Sequence, residues 1–303
     1  MKYLLIICII PLSILQINAQ RQIDSLWFSH CVIDSTALMD TIHNRYAPTY
    51  FAEGLLFAQD EIEGRTGTGT QLMYAEFGTK VPFYRPKPLF DKTKAYKNIG
   101  PAAYSDSTNT IFFTANNQEV GVLNDEEDLY KLSLYSFKMD EDKFKPTALT
   151  FNNPNTSCMH PTTNAEGDIL IYSTDIDPFY ETDVFVSFNI EGNWLEPRNL
   201  DSIHINTVCR ELFPYMINDS TLVFASDRPG GFGKLDLYIS KRKNGEWGKA
   251  KNLGAYFNSP EDDFGLVINP TTNKSGYFSS RRSGNIDQIW KFEYDRIKAR
   301  NRK

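Results

Sequence analysis

The chain has little of what most catalytic and metal centres are made from. Its 303 residues hold four cysteines and four histidines. The histidines, His30, His43, His160 and His204, are scattered, and none is paired at metal-ligand spacing. No close Cys/His cluster, Gly-x-Ser-x-Gly elbow or His-Glu-x-x-His occurs, so no zinc site or familiar hydrolytic nucleophile can be read from motif. Sustained helical periodicity is also missing, which argues against an α/β fold. Beyond the first residues no apolar run is long enough to span a membrane as a helix. Positive charge is in deficit, with 32 Lys and Arg against 38 Asp and Glu, net −6. That balance argues against general binding to nucleic acid. Gly64 to Thr70 has glycines at phosphate-loop spacing, but no Gly-Lys-Ser/Thr ending and no following helix.

Residues 1–19 read as a secretory leader: Lys2, an apolar run from Tyr3 to Leu15, and a small-residue end at Asn18-Ala19, with cleavage expected after Ala19. Pro11 and Ser13 interrupt the run, which argues against a transmembrane helix. Cys8 lies inside it behind Ile6-Ile7, the wrong context for lipid attachment. Cys31, Cys158 and Cys209 then remain, an odd number that leaves at least one free thiol. Cys158 and Cys209 precede the first strands of consecutive units, and we expect them to be too far apart to bridge. Residues 296–303 form a basic tail. Its plain reading is a solvated end, and its sharper one a handle for an acidic partner or membrane surface.

What the chain has in abundance is a recurring unit. An aromatic followed by a small residue appears as Phe57-Ala58, Phe113-Thr114, Tyr172-Ser173, Phe224-Ala225 and Phe278-Ser279, at intervals of 56, 59, 52 and 54 residues. A second strand repeats as Asp128-Leu129-Tyr130, Asp183-Val184-Phe185, Asp236-Leu237-Tyr238 and Asp287-Gln288-Ile289, with a degenerate Gln71-Leu72-Met73 in the first copy. Upstream of each unit lies another strand, marked by Tyr46-Ala47-Pro48, Gly100-Pro101, His160-Pro161, Phe213-Pro214 and Phe264-Gly265. Downstream comes an aromatic with a leucine six residues on, as in Phe83 to Leu89, Trp194 to Leu200 and Trp247 to Leu253; Phe144 to Leu149 is a shortened version. Four short strands in each unit of fifty-odd residues, separated by turn signals, are the pattern of a propeller blade. The expected fold is therefore all-β: a single β-propeller of five blades, each of four antiparallel strands, or six if one copy has diverged past recognition. Its domain spans residues 20–295. The last copy lacks its fourth strand, and Leu26-Trp27-Phe28 is expected to supply it, closing the ring and removing a free edge.

The run Ser-Asp-Arg-Pro-Gly-Gly-Phe-Gly-Lys-Leu-Asp-Leu-Tyr at 226–238, with Ser279-Ser280-Arg281-Arg282 and Thr182-Asp183-Val184-Phe185, resembles the TolB-like propeller repeat, a relative of WD repeats. The resemblance covers about Trp27 to Phe292. It implies a periplasmic or outer-membrane location, and outer-membrane or periplasmic proteins as partners. Repeats of this kind accompany secretion and surface-adhesin machinery of Gram-negative envelopes.

The recurring Asp128, Asp183, Asp236 and Asp287, with Asp227 and Arg228, are expected to fix turns rather than to react, since repeat units need the same local solution. The residues preceding each first strand are expected at the channel mouth: Arg45, His160, Arg210, Glu211, Asp262 and Asp263. The plain reading is a solvated polar funnel. Converging carboxylates there could instead hold a cation such as calcium, or act as a glycosidase-like acid–base pair. Asn44, Asn98 and Ser157 in the earlier copies count against the latter. The function expected is a non-enzymatic protein-interaction scaffold requiring no cofactor. The alternatives are a glycan hydrolase or lyase working at the mouth, and a peptidoglycan- or glycan-binding module.

Overall fold

The computed structural model describes residues 23–61, 69–90, 96–117, 131–141, 143–177 and 181–295. Residues 1–19, expected as a leader, Asp128 and the expected basic tail at 296–303 lie outside the described residues.

Among the described residues strand follows strand as an antiparallel meander, interrupted by one short helix, Ser25–Phe28. Blade one comprises His43–Phe51, Gly54–Glu61, Gln71–Glu76 and Lys87–Pro88. Blade two comprises Ala102–Ser105, Thr110–Asn117, Ser133–Lys138 and Thr147–Ala148; Tyr96–Lys97 also pairs with its second strand. Blade three holds Cys158–Thr163, Ile169–Thr174, Asp183–Ile190 and Arg198–Asn199, and blade four Glu211–Asn218, Thr221–Ser226, Asp236–Lys243 and Lys251–Asn252. Blade five joins Asp263–Ile268, Ser275–Ser280 and Gln288–Tyr294 to Cys31–Ser35 from the start of the chain. The five first strands touch in cyclic order, one to five and back to one, around a central channel. First strands begin at one face, called upper here, and turn into second strands at the lower face.

Ring closure occurs through a different segment from the one expected. Leu26-Trp27-Phe28 is helical because the Asp24 carboxylate caps it, accepting the Trp27 N–H at 2.9 Å. The closing strand is Cys31–Ser35, paired antiparallel with Gln288–Tyr294 from Cys31↔Tyr294 to Ser35↔Trp290. Trp27 still seals the seam, stacking on Tyr294 with ring centroids 5.4 Å apart. Thr36 finishes the job: its hydroxyl donates to the Ile289 carbonyl at 2.7 Å. In blades one to four the equivalent bonds, to Leu72, Leu134, Val184 and Leu237, come from the N–H of Leu89, Leu149, Leu200 and Leu253, the leucines of the repeat pattern.

Aromatic side chains fill the spaces between sheets. Phe28, Phe257, Phe278 and Phe292 form one buried cluster with Trp27 where blade four meets blade five. Phe113, Tyr135 and Phe137 pack with Phe90 and Phe144 at the junction of blades one and two. Edge-to-face contacts such as Phe28–Phe257, at 5.1 Å, are the arrangement that ring quadrupoles favour.

Candidate functional site: the central channel

Every first strand must turn its backbone at the channel, and four do it alike. Pairing registers shift between Tyr46 and Thr49, Met159 and Thr162, Leu212 and Tyr215, and Phe264 and Val267. Each shift is a β-bulge, an extra residue that re-aims the side chains beyond it. The bulged residue has positive φ in all four: Ala47 50°, His160 54°, Phe213 49° and Gly265 57°. Three are not glycine, so left-handed backbone of about 1–2 kcal/mol intrinsic cost is held by the surrounding sheets. Pro48, Pro161 and Pro214 follow directly, where a missing N–H leaves no ladder bond broken.

Below the bulges the channel widens into a cavity of about 480 Å³, in the range of small-ligand sites. Pro48, Pro101, Pro161 and Pro214 ring its waist, and Tyr50, Tyr104 and Tyr215 stand in its wall. At the lower rim are Asp106, Glu166 and Asp219, all exposed, from the turns of blades two, three and four. Among the described residues no Lys or Arg lines it. Its floor is the His160 ring stacked on Phe213, centroids 3.7 Å apart, with Phe264 a further 4.5 Å from Phe213. Burial holds the His160 imidazole far below its ordinary range, at about 3, so it is neutral in the cavity floor. The Tyr215 hydroxyl, donating to the Ile268 carbonyl at 3.1 Å, is pushed up to about 12 by burial.

Of the six residues expected at the channel mouth, only His160 lines this cavity. Glu211 and Asp263 are fully buried inside their own blades, which corrects that expectation. Glu211 accepts from Thr207 N–H and hydroxyl, both at 2.8 Å, from the Ser226 hydroxyl at 2.7 Å, and from Arg228 at 3.0 Å. Asp263 repeats the plan, accepting from Ser259 N–H at 2.5 Å and Arg282 at 2.8 Å. Arg228 lies over Phe224 and Tyr238, and Arg282 over Phe278 and Trp290. The Ser-x-Arg of the repeat is therefore a clamp that neutralises a buried acid. In blade one the charges are exchanged. Arg45 occupies the acid's place over Phe57 and meets Asp40 at 2.7 Å, also donating to Leu38 carbonyl and Gln59. Arg45 thus turns inward too.

Arg210 and Asp262 stay at the upper face, stitching neighbours together. Arg210 lies 3.5 Å from Glu181 of blade three, and it donates through its backbone N–H and Nε to Asp227 of its own blade, each at 2.8 Å. Asp262 accepts the Leu235 N–H at 3.2 Å and lies 3.8 Å from Arg281. These contacts accompany a recurrent inter-blade bond, Cys158, Glu211, Asp263 and Arg45 N–H each donating to a carbonyl of the preceding blade.

Among the recurring aspartates, Asp236 accepts Phe232 N–H at 2.6 Å and Asn252 at 2.9 Å, and Asp183 accepts Asn199 at 3.0 Å. Burial, then the charges of Glu211 and Asp177, push the Asp183 carboxyl up to about 6. Asp287 is not their counterpart. Strand register puts Gln288, opposite Ser280, where Asp236 stands opposite Ser226. Asp287 sits one residue earlier, paired with Arg281 at 2.9 Å and bonded through its N–H to Asn44 of blade one. Among the described residues no group of three or more His, Cys, Asp or Glu is placed to hold a metal ion. Cys31, Cys158 and Cys209 form no disulfide with one another.

The sequence reading missed Tyr50, Tyr104, Tyr215, Asp106, Glu166 and Asp219. The signal available was the proline in three of the first strands, Pro48, Pro161 and Pro214, because a proline in an inner strand implies a bulge and hence a change of facing.

No protein-family model matches the chain, and no curated protein matches it. Solved structures do. A Dyadobacter fermentans protein of unknown function is 10% identical, with 82% of this chain and 76% of that one covered and a TM-score of 0.50. A putative TolB from Agrobacterium tumefaciens is 15% identical over 80% and 72%, with a TM-score of 0.49. A putative glycoside hydrolase from Parabacteroides distasonis is 11% identical over 87% and 90%, with a TM-score of 0.46. Likeness at this level describes the propeller fold alone.

Proposed function

We propose that the chain is an exported, non-enzymatic propeller that serves as a protein-interaction scaffold of a periplasmic or outer-membrane complex, in secretion or envelope assembly. In this reading residues 1–19 are its leader, 20–295 its propeller and 296–303 its basic tail. The observation that carries it is the fate of the inner carboxylates. Glu211 and Asp263, best placed by sequence for acid–base work, are consumed in the Arg228 and Arg282 clamps. What is left open is a rigid, proline-walled cavity with ionic groups only at its rim, a surface suited to recognition. Affinity purification of the tagged chain from envelope fractions tests the proposal, with a stable set of envelope proteins as the expected result. Turnover of a glycan panel that disappears in the Glu211→Gln, Asp262→Asn double variant would overturn it.

A further inference from the structure

The lower cavity combines three features that the scaffold reading alone does not use. Its rim carries Asp106, Glu166 and Asp219 and, among the described residues, no Lys or Arg. Its walls include Pro48, Pro101, Pro161 and Pro214 with Tyr50, Tyr104 and Tyr215, which leave an apolar slot between them. Its floor is a neutral imidazole with one nitrogen spare. His160 Nδ1 is buried with no hydrogen-bond partner, and among the described residues no protein group bonds Nε2, although the residue as a whole keeps some exposure where it lines the cavity. A buried unpaired acceptor costs less than a buried unpaired donor. The proton therefore belongs on Nε2, the nitrogen left to serve the cavity that His160 lines.

Resting on the scaffold reading, we propose that this cavity receives a tyrosine from an extended segment of a partner protein, with lysine or arginine on both sides of it. The ring fills the slot between the prolines, its hydroxyl oxygen accepts from His160 Nε2–H, and the flanking cations meet Asp106, Glu166 and Asp219. An apolar body with a polar tip is what this wall and floor can satisfy together. Flanking acids would be repelled by the rim, and phenylalanine would leave the imidazole donor unpaired.

The test is titration of the full chain with acetylated, amidated pentapeptides Gly-Lys-Tyr-Lys-Gly, Gly-Lys-Phe-Lys-Gly and Gly-Glu-Tyr-Glu-Gly, read by calorimetry at low and high salt. The lysine–tyrosine peptide is expected to bind tightest. Losing the hydroxyl should weaken it by about threefold to tenfold, one net hydrogen bond. Replacing the three rim acids together (Asp106→Asn, Glu166→Gln, Asp219→Asn) should cost about threefold to tenfold at low salt and little at high salt. All three are exposed, so folding is not at risk. His160→Phe, which keeps a ring on Phe213, should abolish the tyrosine-over-phenylalanine preference while leaving the rim dependence intact. Equal binding of the lysine and glutamate peptides, or of the tyrosine and phenylalanine peptides to the native chain, overturns the proposal. If those peptides fail but the same envelope proteins co-purify with native chain and rim variant alike, the cavity assignment falls and the scaffold reading stands.

Discussion

Removing Arg228 should unfold blade four from within. Its guanidinium bonds Glu211, the Ser226 hydroxyl and the Ile205 carbonyl, and covers the faces of Phe224 and Tyr238. Glu211 is 0% exposed, so in Arg228→Met it keeps a charge with no cation beside it. Breaking one partner of a buried pair typically costs about 3–5 kcal/mol. Three donors remain to Glu211, two on Thr207 and the Ser226 hydroxyl, which favours the lower end. The lost cation–π contacts, about 0.5–1 kcal/mol each where partly exposed, push upward. A loss of about 3–5 kcal/mol follows, lowering the melting temperature by about 6–20 °C at 2–4 °C per kcal/mol. Urea unfolding and calorimetry measure it, and Arg282→Met should lose a similar amount through Asp263. Adding Glu211→Gln to Arg228→Met should recover part of the deficit, because the stranded charge is gone. A loss under about 1 kcal/mol, the scale of an exposed pair, would show that the clamp does not act as a buried pair.

The His160 imidazole should make the protein acid-sensitive. With a folded value near 3 against about 6.5 unfolded, its contribution is complete above pH 6.5 and declines as pH falls toward 3. At pH 5 that is about 2 kcal/mol, at about 1.4 kcal/mol per unit, and His160→Phe should flatten the dependence in unfolding curves from pH 4 to 7. Asp183 acts in the opposite sense. Its raised carboxyl favours the folded state most below pH 4, an advantage lost as pH rises toward 6, so Asp183→Asn should help most above pH 6. Starting the chain at Thr36 should expose the edge of Gln288–Tyr294 and drive self-association, detectable by light scattering, whereas a monodisperse monomer would refute the latch. Gly265→Ala should destabilise by more than its backbone requires, since Ala47 tolerates the same φ, but a Cβ at 265 would lie 3.0 Å from the Ala47 Cα.

The clasped toroid was legible before any coordinates because its causes are local. Strand periodicity, glycine-rich hairpins and a recurring leucine each act over a few residues, and a unit repeated five times states them five times. Even the latch could be anticipated from the missing fourth strand, although Asp24 displaced it by capping a helix over Trp27. The facing of the inner carboxylates was not legible. In a strand, in and out alternate with period two, and one inserted residue reverses every position after it. Whether Glu211 looks into the channel or into its own blade therefore depends on how the bulge at Phe213 and the clamp at Arg228 settle against each other, fifteen residues apart in the chain. The same holds for Asp287 and Gln288, neighbours whose roles only register separates. Composition and repeat thus determined the architecture, while packing across blades decided which end of the channel is a site. The first depends on contacts within one unit, and the second on five units meeting at an axis.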